Sequence, residues 1–446
     1  MSLRFIEGGA LLAAGCDDGT VKFFNTKTGA ATYRLGTASP DAMSCTGLRF
    51  RPTAAELPTK NVLLTGDGEG NVTHWHYPGQ KRLHHFTEPE NSVLTVAYSP
   101  DGSHFATAGR DRMVRVYDES TKEPLATMGS TVLAASAGHS NRIFASCWVP
   151  GDAHTLLTGG WDNTVRIWDT RSGKAEGKMF GPHIAGDALD VRGSRVLAGS
   201  WRPEDPLEVW DLGARKRLAT CDFNGSATAS DAHSTLGKYQ SRAPNGLVYG
   251  AAFSSDAEGA FIVAGGSGSN CVKVFDGAEG SGHPLVGAIL GLPGSVFAVA
   301  TEGNLIAVAG AFESIYLYTI EMGARPIPSI LHEGGVPEGS HTPLPPSSLT
   351  PHHAAAMAGA ADSTAPVSAA AAAGAGDGMA DRAMAALAGG HMDDGDDEED
   401  QGDDGGVAES KAGDDYGTRS SIVGGSGLAA VRARRASAQG EGKEGV

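Results

Sequence analysis

The chain has no run of about 18 apolar residues, so nothing in it reads as a helix able to cross a bilayer. Cysteine is scarce: Cys16, Cys45, Cys147, Cys221 and Cys271 are odd in number and far apart, which argues against a disulfide framework and for a reducing compartment. There is no Gly-Lys-Ser phosphate loop, no His-Glu-x-x-His zinc pair and no Gly-x-Ser-x-Gly elbow, so no positive case arises for an enzyme, a cofactor or a metal. Positive charge is also short: 35 Lys and Arg face 52 Asp and Glu, a net charge of -17 that speaks against nucleic acid as a partner. The string LAAGC ending at Cys16 has only Arg4 before it and includes Glu7 upstream, so it reads as a strand and not as a lipoprotein cleavage site. The expected setting is intracellular and cytoplasmic, with nucleus and cilium as the alternatives.

What the chain has instead is a repeat. An apolar run ending in small residues, a polar turn and a strand closing on an aromatic recur seven times, from LLAAGCDDGTVKFFN at Leu11 to LIAVAGAFESIYLYT at Leu305. The closing aromatics are Phe24, Trp75, Tyr117, Trp168, Trp210, Phe275 and Tyr318, spaced by 51, 42, 51, 42, 65 and 43 residues. One such unit cannot bury both faces of its own small sheet, so the units must stack, and a ring of four-stranded blades is how they do so. The sequence therefore predicts an all-β, seven-bladed β-propeller of antiparallel four-stranded sheets over residues 1–324. Blade three reads as SVLTVAYSP, HFATAG, MVRVYD and PLATMG, and blade four as RIFASCWVP, TLLTGG, TVRIWD and KAEGKMF, each run ending in turn residues.

Trp168-Asp169 and Trp210-Asp211 are the dipeptide of the WD-repeat β-propeller family, and Tyr117-Asp118 and Phe275-Asp276 are softened forms of it, so residues 1–324 resemble that family. The resemblance implies a buried tetrad in blade four made of His139, Thr158, Asp162 and Trp168. There a His, a carboxylate, a hydroxyl and an indole satisfy one another away from water. Other blades keep fragments: Asp18, Thr65 with Glu69, and Thr107 with Asp111, while blades six and seven are small and apolar around Ala264 and Ala309. The family also places the turn residue before the tetrad acid on the top face. Those slots hold Asp17, Gly68, Arg110, Trp161 and Trp201, so Arg110, Trp161 and Trp201, with the adjacent Arg202, form a candidate partner-binding arc rich in the residue types that dominate hot spots.

Trp168-Asp169-Thr170-Arg171 further resembles the box by which some propellers dock on the adaptor of a cullin-RING ubiquitin ligase, with Arg171 as the contact and Asp169 orienting it. His74, His76, His84 and His85 lie on adjoining strand patterns of blade two, but no acidic or thiol partner sits near them in sequence, so no metal is expected.

Ring closure has two readings. SLRFI opens blade one and ARPIPSILHE must then finish blade seven despite Pro326 and Pro328, or SLRFI pairs into blade seven and blade one lacks a strand. Two insertions stand out, RPTAAELPTK from Arg51 within blade two and FNGSATASDAHSTLGKYQSRAPNG from Phe223 between blades five and six. From Arg325 onward the chain is Pro-, Ala- and Gly-rich and acidic, with 19 acidic against 8 basic residues, so a disordered tail is expected over 325–446. A short helix is expected over MADRAMAALA from Met379. The run DDGDDEEDQGDD from Asp393 suits a basic partner or simply solvation, and Ser437 after Arg434-Arg435-Ala436 resembles a basophilic kinase site. The function these features favour is a non-catalytic scaffold that receives a protein or peptide on its top face within a multiprotein complex. The alternative is a substrate receptor of a cullin-RING ligase.

Overall fold

A computed structural model describes residues 2–36, 42–52, 59–129, 138–225, 246–256, 259–322 and, as backbone strands, 422–424 and 429–436. Blade one is β1 (Ser2–Phe5), β2 (Leu11–Gly15), β3 (Val21–Asn25) and β4 (Ala31–Leu35), and blade two is β5 (Cys45–Phe50), β6 (Val62–Asp67), β7 (Asn71–His76) and β8 (Lys81–Thr87). Blade three holds β9 (Val93–Tyr98), β10 (His104–Gly109), β11 (Val114–Asp118) and β12 (Pro124–Met128), and blade four β13 (Ile143–Trp148), β14 (Thr155–Gly160), β15 (Thr164–Asp169) and β16 (Lys174–Phe180). Blade five is β17 (Leu189–Arg192), β18 (Arg195–Gly199), β19 (Leu207–Asp211) and β20 (Lys216–Thr220), and blade six β21 (Leu247–Phe253), β22 (Phe261–Ser267), β23 (Val272–Asp276) and β24 (Leu285–Ile289). Blade seven has β25 (Val296–Glu302), β26 (Leu305–Gly310) and β27 (Ile315–Met322). All ladders are antiparallel, and the first strand of each blade lies inside, against its neighbours, with β25 meeting β1 to close the ring.

Blade seven is completed by β29 (Ala429–Ala436), which pairs with β27 from Met322↔Ala429 to Ile315↔Ala436. The first reading of ring closure holds for SLRFI but not for the last strand, and the second holds for neither. SLRFI belongs to blade one, where Ser2 pairs with Gly15, and the last strand comes from over a hundred residues beyond β27 and not from ARPIPSILHE. The physical reason is donor supply: AAVRARRA offers an N–H at every position, whereas Pro326 and Pro328 offer none. A second tail strand, β28 (Ile422–Gly424), adds to the outer edge of blade six through β24. The remainder of 325–446, including MADRAMAALA, the acidic run and Ser437, lies outside the described residues, as do the middles of both insertions.

The recurring aromatic has one job in every blade. Trp168 packs into the cluster shared by blades three and four, Trp210 into that of blades four and five, and Phe275 into that of blades five and six. Tyr318, Phe24 and Tyr117 do the same one interface along, and Trp75 packs against the cluster between blades one and two. Each ring is thus a wedge against the preceding blade, contributing roughly 1.5–3 kcal/mol by burial. A period near 42 residues is visible because every blade must supply one wedge.

Across the central channel a different element links distant blades. Asp187, ahead of β17, receives Arg4 of β1 at 2.5 Å and Arg49 of β5 at 3.0 Å. Burial pushes the Asp187 carboxyl up, but the two guanidiniums overcome it and hold its pKa at about 2.

Candidate functional site

The top edge of the ring is built by a repeated local device. Gly109, Gly160 and Gly310 end the second strands of blades three, four and seven; a Cβ there would sit 1.8 Å from Ser92 O, 2.1 Å from Arg142 O and 1.9 Å from Ser295 O. Those same carbonyls accept the N–H of the next residue, Arg110 at 3.0 Å, Trp161 at 3.1 Å and Ala311 at 2.8 Å. Glycine is needed because the neighbouring backbone occupies the place of a side chain, and the following turn residue is thereby fixed on the top edge. Trp201 is held likewise, its N–H bonded to His183 O at 2.7 Å.

In blade four the structure brings the four tetrad residues together. His139 Nδ1 lies 2.8 Å from Asp162 and its Nε2 2.7 Å from Thr158 Oγ1, which also accepts Trp168 Nε1–H at 2.8 Å. Burial pushes the His139 pKa down; it pushes Asp162 up, but hydrogen bonds from His139, Thr164 and the Ser140 amide bring Asp162 below the usual carboxylate range. These groups are consumed by one another, so the set positions the turn that carries Trp161.

The sequence reading missed two variants of this network. In blade three Glu88 replaces the histidine, bonded to Thr107, to Tyr117 OH at 2.8 Å, to Asn91 at 2.7 Å and to Arg115 at 3.2 Å. In blade five Glu208 accepts Trp210 Nε1–H at 3.3 Å and pairs with Arg217 at 2.7 Å and Arg202 at 3.0 Å. Arg202 also donates to the carbonyls of Gly181 and Glu204, so its guanidinium staples the blade-five turn and is not spread on the surface.

Trp161 and Trp201 are half-buried members of a continuous aromatic row. Phe144 and Trp161 have centroids 5.0 Å apart, Trp161 and His183 are stacked at 6.1 Å and 12°, and His183 and Trp201 at 6.3 Å and 28°. Tyr249 follows at 6.4 Å and Phe297 at 5.5 Å, so the row runs over blades four to seven. Burial and the nearby Arg202 charge lower the His183 pKa, which keeps the row uncharged near neutral pH. The Nε1–H groups of Trp161 and Trp201 are shut from solvent with no acceptor among the described residues, each costing about 1–3 kcal/mol. Arg110 is exposed at the blade-three end of this arc, and Arg142 lies over the Trp161 ring at 5.8 Å. His183, Arg142, Tyr249 and Phe297 were not foreseen. The residue whose carbonyl receives each top turn recurs with the blade, and that period was the signal that could have found His183 and Arg142.

Elsewhere, Arg171 projects from the turn after β15 with its side chain 68% exposed, its Nε and amide both donating to Asp169 Oδ1, at 3.1 and 3.0 Å. Of the blade-two histidines, His74 and His84 meet edge to face at 6.0 Å, while His74 is also buried against Glu119 at 3.1 Å and His85 bonds Thr73 at 2.9 Å. Glu119 additionally pairs with Arg51 at 2.9 Å and Lys122 at 3.0 Å, a partner that sequence separation concealed. Among the described residues no group of His, Cys, Asp and Glu is arranged to hold a metal ion, and no helix is long and apolar enough to cross a membrane.

A family model, "WD domain, G-beta repeat", matches residues 1–25, 80–118 and 130–169. Those residues carry WD repeats, and the fold they belong to is a β-propeller. Curated relatives of this WD-repeat chain include "Protein Rae1" of Drosophila melanogaster, 30% identical over 30% of this chain and 36% of that one. "WD repeat-containing protein 1" of Bos taurus is 33% identical over 24% of this chain and 17% of its own length. "Ribosome biogenesis protein YTM1" of Laccaria bicolor is 26% identical over 36% of each. The chain therefore spans well under half of the length of these relatives. A chain of the solved structure titled "Crystal Structure of Mitotic Checkpoint Complex" shares the fold, with a TM-score of 0.55, 16% identity, and coverage of 71% of this chain and 87% of that one.

Proposed function

We propose that this WD-repeat propeller is a non-catalytic, intracellular scaffold that receives a protein or peptide on its top face within a multiprotein assembly. The observation carrying this reading is the half-open row Trp161–His183–Trp201 beside Arg110, fixed by glycine turns and by the blade-four tetrad. A rigid site of this kind binds with little ordering cost, and Trp and Arg supply contact area and donors. The solved structure that shares the fold comes from an assembly, by its title, which agrees with this reading. Affinity capture with the wild-type chain and a Trp161→Ala/Trp201→Ala double variant tests it. The partners should be lost from the double variant, and their full retention rejects the top face.

A second reading has its own observation, the exposed Arg171 oriented by Asp169. It makes the chain a substrate receptor that docks on a cullin-RING adaptor by the opposite turn of blade four. Arg171→Ala should then remove cullin components from the captured set while leaving top-face partners in place.

A further inference from the structure

The aromatic row has a positively charged end whose charges are unspent. Arg4, Arg49, Arg51, Arg115 and Arg217 each have a carboxylate within 4.0 Å, whereas Arg110 and Arg142 have none among the described residues. Two acids in the adjoining turns are already engaged, Asp111 by Arg115 at 2.5 Å and Asp162 by His139 at 2.8 Å. Arg110 and Arg142 stand on successive blades, close enough that the Arg110 charge, after burial, helps lower the Arg142 pKa. Next to them lie the half-buried rings of Trp161 and Trp201, with Arg142 over the Trp161 ring at 5.8 Å. Guanidiniums without carboxylates lack oxygen lone pairs, and the rings beside them present apolar faces.

We infer that the element received on the top face is an acidic peptide segment bearing an aromatic or branched apolar side chain. Its carboxylates pair with Arg110 and Arg142, and its apolar group lies along Trp161, His183 and Trp201. A basic segment would add repulsion at Arg110 and Arg142, and a neutral one would leave both charges unpaired. This inference rests on the top-face reading above and adds the chemistry of the occupant.

A random dodecapeptide library displayed on phage is selected on the immobilised full chain, and the strongest sequences are synthesised and titrated by fluorescence anisotropy. The expected sequences are rich in Asp and Glu around Phe, Trp, Tyr or Leu. They should lose about tenfold or more in affinity to an Arg110→Ala/Arg142→Ala double variant and weaken as salt rises from about 0.05 to 0.3 M. Basic or neutral selected sequences, or acidic ones bound equally by the double variant, overturn the inference. Capture of natural partners separates the two levels. If Trp161→Ala/Trp201→Ala sheds partners that Arg110→Ala/Arg142→Ala keeps, the top face stands and the acidic assignment falls; if neither variant sheds them, both fall.

Discussion

Replacing Thr158 by valine removes one oxygen and almost no volume, yet it should be among the most damaging single changes in the ring. Asp162 can only accept, so His139 carries its proton on Nδ1, and its Nε2 takes the Thr158 hydroxyl proton at 2.7 Å. The same oxygen accepts Trp168 Nε1–H at 2.8 Å. His139 is 0% and Trp168 1% exposed, so water cannot take the place of the hydroxyl. Two buried groups are left unpaired at about 1–3 kcal/mol each, which puts the loss near ~3 kcal/mol. In equilibrium urea unfolding, with a slope of about 3 kcal/mol per molar, the midpoint should fall by about 1 M. Thr158→Ser should restore most of it, and Thr32→Val, on an exposed outer strand, should stay within about 0.5 kcal/mol. A Thr158→Val protein as stable as wild type would refute the closed hydrogen-bonded chain, and with it the mechanism assigned to the Trp161 turn.

Gly160→Ala places a methyl 2.1 Å from Arg142 O; a loss of about 1–3 kcal/mol with altered tryptophan emission is expected, while Gly287→Ala, with nothing within 4 Å, should be neutral by thermal melting. His74 and His139 have pKa values lowered by burial, so the unfolded chain binds more protons below its histidine pKa of about 6.5. Stability should therefore fall as pH drops from about 7.5 through about 6.5 toward about 5.5, and a flat melting midpoint over that window would contradict the burial of both rings. Asp187, held at about 2, contributes stability present above the unfolded carboxylate value and lost as pH falls toward 2. Asp187→Asn leaves Arg4 and Arg49, on the neighbouring inner strands of blades one and two, side by side without their shared carboxylate and should cost ~2–3 kcal/mol by urea unfolding, with an unchanged midpoint counting against the cross-channel link.

The ring was legible because its determinants are periodic. Each blade must supply an aromatic wedge such as Trp168 or Phe275, and several need a glycine where a neighbouring carbonyl intrudes, as at Gly160 and Gly310. Ring closure was not legible, because β29 pairs with β27 across more than a hundred intervening residues and its AAVRARRA sequence has no distinctive strand alternation. At the site, Trp161 and Trp201 fell out of turn position alone. His183 did not, because its place between the two indoles is set by packing of the loop entering blade five and by no motif. The Glu88 and Glu208 networks escaped for a related reason: a glutamate can hold the same hydroxyl or indole that a histidine would, so the chemistry persists after the letters have changed.

The most direct test is hydrogen exchange on the wild-type chain, free and bound to a captured partner, mapped along the sequence. Slowed exchange should cluster in the top turns carrying Arg110, Trp161, His183 and Trp201 and leave the turn around Arg171 unchanged. Protection that instead falls on the Arg171 turn or the outer strands, with the aromatic row unaffected, would contradict the claim that this propeller works through its top face.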